Sequence, residues 1–306
     1  MWSAGMSKHT APKPDTALQE VLRPGQSVDL LKELHILTRE GRLNQDSRRK
    51  LKQVNHLFGF IEKILRDLPA SPQGPTLADH GAGKSYLGFI VYDLYFKALG
   101  RGEIFGIETR SELVDASRAL AQRLGFSRMH FLNTSVAESA HSRLLPVQID
   151  VVTALHACDT ATDDALAFGL AKQARAMVLV PCCQAELAAC LRRNKALDLK
   201  GKALAELWRH PLHTREIGSQ LTNVLRCLYL EAMGYAVTVT ELVGWEHSMK
   251  NELILAVHTG RPRAGAAERL QALLAEFGLE SLLHTRFKLP VHNPPELQTP
   301  PPLGAA

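Results

Sequence analysis

Apolar residues recur at steps of three and four through Leu51, Val54, Leu57, Phe58, Ile61, Ile64 and Leu65, drawing one stripe along a helix. The helical pattern runs from Ala17 to Leu68. Residues 1–16 carry Pro, Lys, Ser and Thr with no apolar period and are expected to be disordered. Pro69, Pro72, Gly74 and Pro75 end the pattern, because neither residue type continues a helix. A helical region at 17–75 is therefore expected to precede a different kind of unit.

Beyond that boundary the rhythm changes. Short β-rich runs at 76–79, 104–108, 129–132, 149–155 and 176–180 alternate with helical runs at 86–99, 111–124 and 163–175. Such alternation predicts an α/β fold, a mostly parallel sheet with helices on both faces. The end of the unit differs: a helical run at 216–233 precedes strands at 235–243 and 251–258. Two strands so close in sequence pair as a hairpin, so the last one should be antiparallel. The domain is thus placed at 76–260. A C-terminal extension at 261–288 is expected to add a helix at 266–277 and one short strand. The tail at 289–306 is rich in proline and predicts no fixed fold.

Composition narrows the class. The chain has 306 residues, 45% hydrophobic and 22% charged, as in globular domains. No apolar run approaches the roughly 18–20 residues of a membrane span, and Met1–Lys8 does not read as a signal peptide. There are five cysteines, of which Cys182 and Cys183 are neighbours, so no disulfide framework is expected and a cytoplasmic setting is. The net charge is +5. Arg42, Arg48, Arg49, Lys50 and Lys52 face only Asp46. Such a stretch attracts phosphate backbones, and it equally describes a solvated helix face. Oligomeric state is not encoded in any of these patterns.

The segment from Thr76 to Ser85 (TLADHGAGKS) passes from a strand into a helix through Gly81 and Gly83. Glycines there let the backbone turn sharply and let a ligand approach. A phosphate-binding loop would need glycine at 78, where Ala78 stands, and a dinucleotide turn would need it at 86, where Tyr86 stands. The remaining pattern is an acidic residue, one residue, then Gly-x-Gly, paired with an acid ending the next strand. Asp79 and Glu108 supply the two acids. This resembles the methyltransferase pattern, which implies that Asp79 meets the amino group of S-adenosylmethionine, Glu108 its ribose hydroxyls, and Gly81, Ala82 and Gly83 its methionine part. A tight turn without a ligand explains the glycines but not the second carboxylate.

Four segments together, Asp79–Lys84, Leu155–Asp163, Pro181–Gln184 and Glu246–Asn251, resemble a branch of class I methyltransferases. That branch holds tRNA 2′-O-methyltransferases and the methyltransferase part of glutathione S-transferase C-terminal domain-containing proteins. The resemblance covers roughly residues 48–258. It implies a Rossmann-like, seven-stranded sheet with a reversed last strand, and S-adenosylmethionine as methyl donor. Asp159 stands where the tRNA branch commonly has glycine, and the branch's N-terminal zinc modules have no counterpart. The acid that usually meets the adenine after strand three has no match in Asn133-Thr134-Ser135, whose Thr134 and Ser135 are left to meet the base edge.

In the inferred fold the ends of strands four and five open onto the sulfonium. His156 is the candidate base there, since histidine titrates near neutrality. The alternative is that Leu155 and His156 only touch the cofactor through their backbone. Cys158 and Cys182 admit covalent attack on a pyrimidine, with buried free thiols as the plain reading. A zinc site of His156, Cys158, Cys182 and Cys183 ranks behind both, because adjacent cysteines lack ligand spacing, and no metal is expected. Glu246 and His247, in the last turn, are candidate substrate contacts. The expected partner is RNA, with a small molecule as alternative acceptor and a non-catalytic cofactor-binding module as the rival from another class.

Overall fold

In the computed structural model the described residues are 18, 21–155, 159–181, 185–194, 206–207, 209–242 and 252–290. The expected disorder at 1–16 lies outside them, as does nearly all of the tail at 289–306.

The chain enters through α1 (Val28–Glu33) and α2 (Gln45–Asp67). The single helical run expected from Ala17 is broken. Pro24 and Gly25 turn the chain ahead of α1, and Gly41, at φ +79°, turns it ahead of α2. Both helices start on side-chain caps: Ser27 accepts from the Leu30 N–H and Asn44 from the Ser47 N–H.

Seven strands follow: β1 (Thr76–His80), β2 (Glu103–Glu108), β3 (Met129–Asn133), β4 (Val151–Leu155), β5 (Ala176–Val180), β6 (Tyr235–Glu241) and β7 (Glu252–His258). They form one sheet in the order β3-β2-β1-β4-β5-β7-β6. All neighbours from β3 to β5 are parallel, while β7 is antiparallel to both β5 and β6. The last strand is reversed, as the hairpin argument requires.

The intervening helices are α3 (Tyr86–Val91) and α4 (Lys97–Leu99), joined by a π-helical turn at Tyr92–Phe96, then α5 (Ser111–Leu124), α6 (Val136–Ser139), α7 (Thr160–Ala171), α8 (Ala185–Asn194) and α9 (Pro211–Ala232). After β7 come α10 (Ala266–Glu276) and α11 (Leu282–Thr285). The short strand expected in the extension is instead the helix α11. Phe287 just after it packs edge-on against Tyr229 of α9, so this segment lies on a helix rather than at a sheet edge.

Each sheet face has its own core. On one face Leu51, Leu57, Phe58 and Ile61 of α2 join Leu77, Ile104, Phe131 and Val151 from the strands. The apolar stripe of α2 is thereby spent on the sheet itself. The buried Asp93 carboxylate strengthens this joint, accepting the Ser27 N–H at 2.7 Å. On the other face Phe168 of α7, Leu191 of α8 and Leu225 of α9 cover Ala78, Val152 and Leu179. At the β3 edge Arg118 of α5 donates to the outward carbonyl of Phe131 at 2.7 Å.

Since Leu57 is fully buried in the core shared with the strands, Leu57→Ala should cost about 2–5 kcal/mol. Denaturation followed by circular dichroism should still show one transition, at lower denaturant. A separate early transition for the N-terminal helices would contradict the shared core.

Candidate cofactor site at the sheet's C-terminal rim

The strand order reverses direction between β1 and β4, because the chain builds outward from β1 first one way and then the other. Parallel sheets open a crevice at such a point, beyond the carboxyl ends of the strands. Asp79 pairs with Gly106, and Glu108 lies two residues further along β2. Alternation along a strand therefore puts both carboxylates on the same sheet face.

Asp79 is buried, 2% exposed, and accepts the Thr153 hydroxyl at 2.7 Å. Burial pushes its carboxyl up to about 7, against the lowering effect of that hydrogen bond. Asp79 is thus a carboxylate whose ionised form lacks a cationic partner among the described residues.

Glu108 is the opposite case. Burial raises it, but the Arg110 side chain, the N–H groups of Arg110 and Gly83, and the Arg110 charge together outweigh burial and hold it at about 2. The Gly83 N–H donates at 2.8 Å, Arg110 Nε at 3.0 Å and Arg110 Nη2 at 3.1 Å. Ribose hydroxyls would meet a carboxylate already filled, so the half-exposed Arg110 side chain must yield to admit them.

Between the acids runs the glycine turn. Gly81 and Gly83 sit at φ +60° and +57°, a left-handed backbone that other residues adopt only with strain. The Ala82 N–H donates to the Ile107 carbonyl at 3.2 Å, pinning the turn to β2. A Cβ on Gly83 would meet nothing closer than 3.8 Å, so the turn is open on that side. Ser85 shares the left-handed conformation, and its buried hydroxyl lies where Gly88 leaves room: a Cβ there would come within 2.8 Å of it.

His80, between Asp79 and the turn, points to the other face. It is fully buried against Phe168, with ring centroids 4.3 Å apart. Neither ring nitrogen has a partner among the described residues, and burial pushes the imidazole down to about 3. It is neutral throughout the range in which a base would act.

Thr134 and Ser135 follow β3 as expected, but their hydroxyls donate to Glu138, at 3.1 and 2.9 Å. Ser135 and Glu138 form a capping box that starts α6. Glu138, four residues after Thr134, thus stands as an acid against both hydroxyls. The signal was in the sequence, as Ser-x-x-Glu. Thr153 and Arg110 were also missed; each acts only through a partner on another element or beyond its strand. Leu155 is half-buried at the end of β4. His156, Cys158, Cys182, Cys183, Glu246 and His247 lie outside the described residues. Among the described residues no group of three or more His, Cys, Asp or Glu could hold a metal, and no helix is long and apolar enough to cross a membrane.

The family described as a methyltransferase domain matches residues 49–190, from the second turn of α2 to α8. The chain thus carries a Rossmann-like class I methyltransferase domain, and as an enzyme it is an S-adenosylmethionine-dependent methyltransferase. Two acids on one face, an open left-handed turn and a buried carboxylate awaiting a cation fit that cofactor.

Among solved structures the chain is similar to the magnesium protoporphyrin IX methyltransferase of Synechocystis PCC 6803 with bound S-adenosylhomocysteine. Identity is 14%, coverage 76% of this chain and 93% of that one, and the TM-score 0.42. It is also similar to Aeropyrum pernix fibrillarin with S-adenosylmethionine, at 13% identity, 66% and 76% coverage and a TM-score of 0.38. A rRNA methylase from Streptococcus thermophilus overlaps at 9% identity, 67% and 93% coverage and a TM-score of 0.37. Likenesses at this level carry no inference about substrate. No curated protein matches the chain.

The raised Asp79 gives a signed pH dependence. Its contribution to the stability of the cofactor-free protein is fully present below its ordinary value of 3.8 and lost as pH rises through about 7. Relative to Asp79→Asn, the wild type should therefore lose stability between about pH 4 and 8, by at most roughly 1.4 kcal/mol per unit. Paired melting curves across that range check it; parallel curves would mean an Asp79 of ordinary acidity.

Proposed function

We propose that the methyl acceptor is RNA, a tRNA or rRNA, which would place the chain near the tRNA-modifying branch and in the cytoplasm. The observation that carries this reading is a basic stripe on α2. Arg49, Lys52, His56 and Lys63 are exposed and fall on the face opposite the buried apolar stripe. From Arg49 to Lys63 the stripe is about 21 Å long at 1.5 Å per residue. Its three cations, Arg49, Lys52 and Lys63, so spaced along one face, attract a phosphate backbone by counterion release. A small-molecule acceptor, with the N-terminal helices as its lid, draws less support. The stripe such a lid would use is buried against the sheet.

The cofactor supplies an electrophilic methyl group on a sulfonium. Asp79 holds the amino group of its amino-acid part, and Glu108 takes the ribose hydroxyls once Arg110 lets go. Gly81, Ala82 and Gly83 keep side chains out of the path of the methionine part. Thr134 and Ser135, with Glu138 behind them, face the base edge, and Leu155 offers backbone groups. Methyl transfer is an in-line displacement, so the protein aligns the acceptor and accepts its proton. His156 is assigned as that base. Cys158 and Cys182 stand as nucleophiles if the acceptor is a pyrimidine carbon, and Glu246 and His247 as acceptor contacts.

Calorimetry with S-adenosylhomocysteine should show binding to the wild type. Asp79→Ala and Glu108→Ala should each weaken it tenfold or more, about 1.4 kcal/mol. Because the cation needs an ionised Asp79, affinity should rise with pH through about 7. A pH-independent affinity would remove Asp79 from this role.

For the acceptor, filter binding to total cellular RNA should weaken with salt. Lys52→Glu with Lys63→Glu should weaken it across all RNAs and reduce the salt slope by roughly one for each phosphate no longer held. Binding unaffected by salt or by these changes would reject the RNA reading. Labelled methyl reaching no RNA or lysate component would favour the non-catalytic module.

A further inference from the structure

Outside the cofactor turn, the most heavily bonded side chain among the described residues is Arg226 of α9, fully buried. Its Nε and Nη2 each donate to the Asp163 carboxylate of α7 at 2.7 Å. Nη2 also donates to the Asp159 carbonyl at 2.9 Å, and Nη1 to Asn223 Oδ1 at 3.1 Å. A buried guanidinium is tolerated only when paired and hydrogen-bonded in this way.

The partners of Arg226 reach further. Asp159 Oδ1 accepts the N–H groups of Ala185 and Glu186, at 2.9 and 3.1 Å, which are the first two amides of α8. Helix-terminal amides have no partner within their own helix, so this carboxylate completes them from another segment. Asn223 Nδ2 donates to Glu252 Oε2 at 2.7 Å, at the start of β7. Asp159 itself sits at φ +52° and ψ −122°, a conformation normally left to glycine. A strained backbone kept at a position whose side chain ties two segments together points to a role for the tie.

The three residues so held are the described ends of three connections. Asp159 closes the one from β4 to α7, Ala185 the one from β5 to α8, and Glu252 the one from β6 to β7. All three of these residues belong to elements on the side of β1 away from Glu108. We propose that Asp159 and Arg226 are positioning residues: they tie the first residues of α7, α8 and β7 to one another at the sheet's C-terminal rim, and so set the frame against which an acceptor is aligned. This rests on the acceptor-side assignment above. The cofactor carboxylates, on β1 and β2, share no hydrogen bond with the knot among the described residues.

Asp159→Gly separates positioning from folding, since it relieves the left-handed backbone while cutting the tie to α8. In hydrogen exchange the Ala185 and Glu186 amides should speed up at least tenfold, with β1 and β2 unchanged. S-adenosylhomocysteine affinity should stay within twofold. Methyl transfer to total cellular RNA should lose at least tenfold in kcat with KM little changed. Asp159→Asn, which keeps an acceptor oxygen and tolerates this backbone, should restore both readouts to within threefold. Arg226→Lys, which keeps the charge but not the fork, should loosen Glu252 as well as Ala185.

Unchanged exchange at Ala185 and Glu186 in Asp159→Gly would overturn the proposal, as would faster exchange with unchanged kcat. If the wild type binds S-adenosylhomocysteine but methylates no RNA, the RNA reading fails. The same kcat comparison is then made on whichever lysate fraction takes the label, and exchange at Ala185 and Glu186 decides the tie.

Discussion

The rim of this sheet depends on β2 holding the glycine turn in place, through one carboxylate above all. Glu108 accepts the N–H of Gly83, and the Ala82 N–H reaches the neighbouring Ile107 carbonyl. The left-handed glycines are therefore held from β2 as well as by the Ser85 N–H on the Ala82 carbonyl within the turn. The same carboxylate is bound by Arg110, so the site without cofactor is already electrically closed. Asp79 is left the other way, buried with one neutral donor and no cation among the described residues. One acid is overcommitted and its neighbour undersupplied: Glu108 is held from several sides, while Asp79 has a single neutral donor.

The two faces of the sheet divide the work. The face covered by α1, α2 and α3 carries both acids, and the buried Asp93 fastens the N-terminal helices to it. The other face carries the neutral His80 and the paired charges around Arg226. Low dielectric has opposite outcomes on this second face. It strips His80 of its proton, while it makes the Arg226–Asp163 fork strong because each of the three guanidinium nitrogens has an acceptor.

The fold was legible because its strands are apolar runs bounded by turns. β1, β2, β3 and β5 start and end where the runs put them, to within a residue. The reversed last strand followed from the shortness of the final connection. What escaped had tertiary causes. Helix α8 has no local cap among its described residues; its first amides are capped by Asp159, distant in sequence, so no start signal marked it. The strand expected in the extension failed because the short apolar run ending at Phe287 packs on Tyr229 instead. At the site, Asp79 and Glu108 could be found by spacing. Thr153 could not, since nothing in one chain order shows that β4 lies beside β1. Asp159 read as a departure from a glycine; its own backbone nevertheless takes a glycine-like conformation.

The guanidinium of Arg118 on the Phe131 carbonyl has a meaning beyond the monomer. An outer strand offers free acceptors to any extended peptide that drifts by, and sheets recruit strangers through such acceptors. Here the middle acceptor of the outermost strand is stoppered by the helix that packs behind it. The sheet is thereby discouraged from growing past β3, and the rim of the site stays accessible while the flank is protected from polymerising.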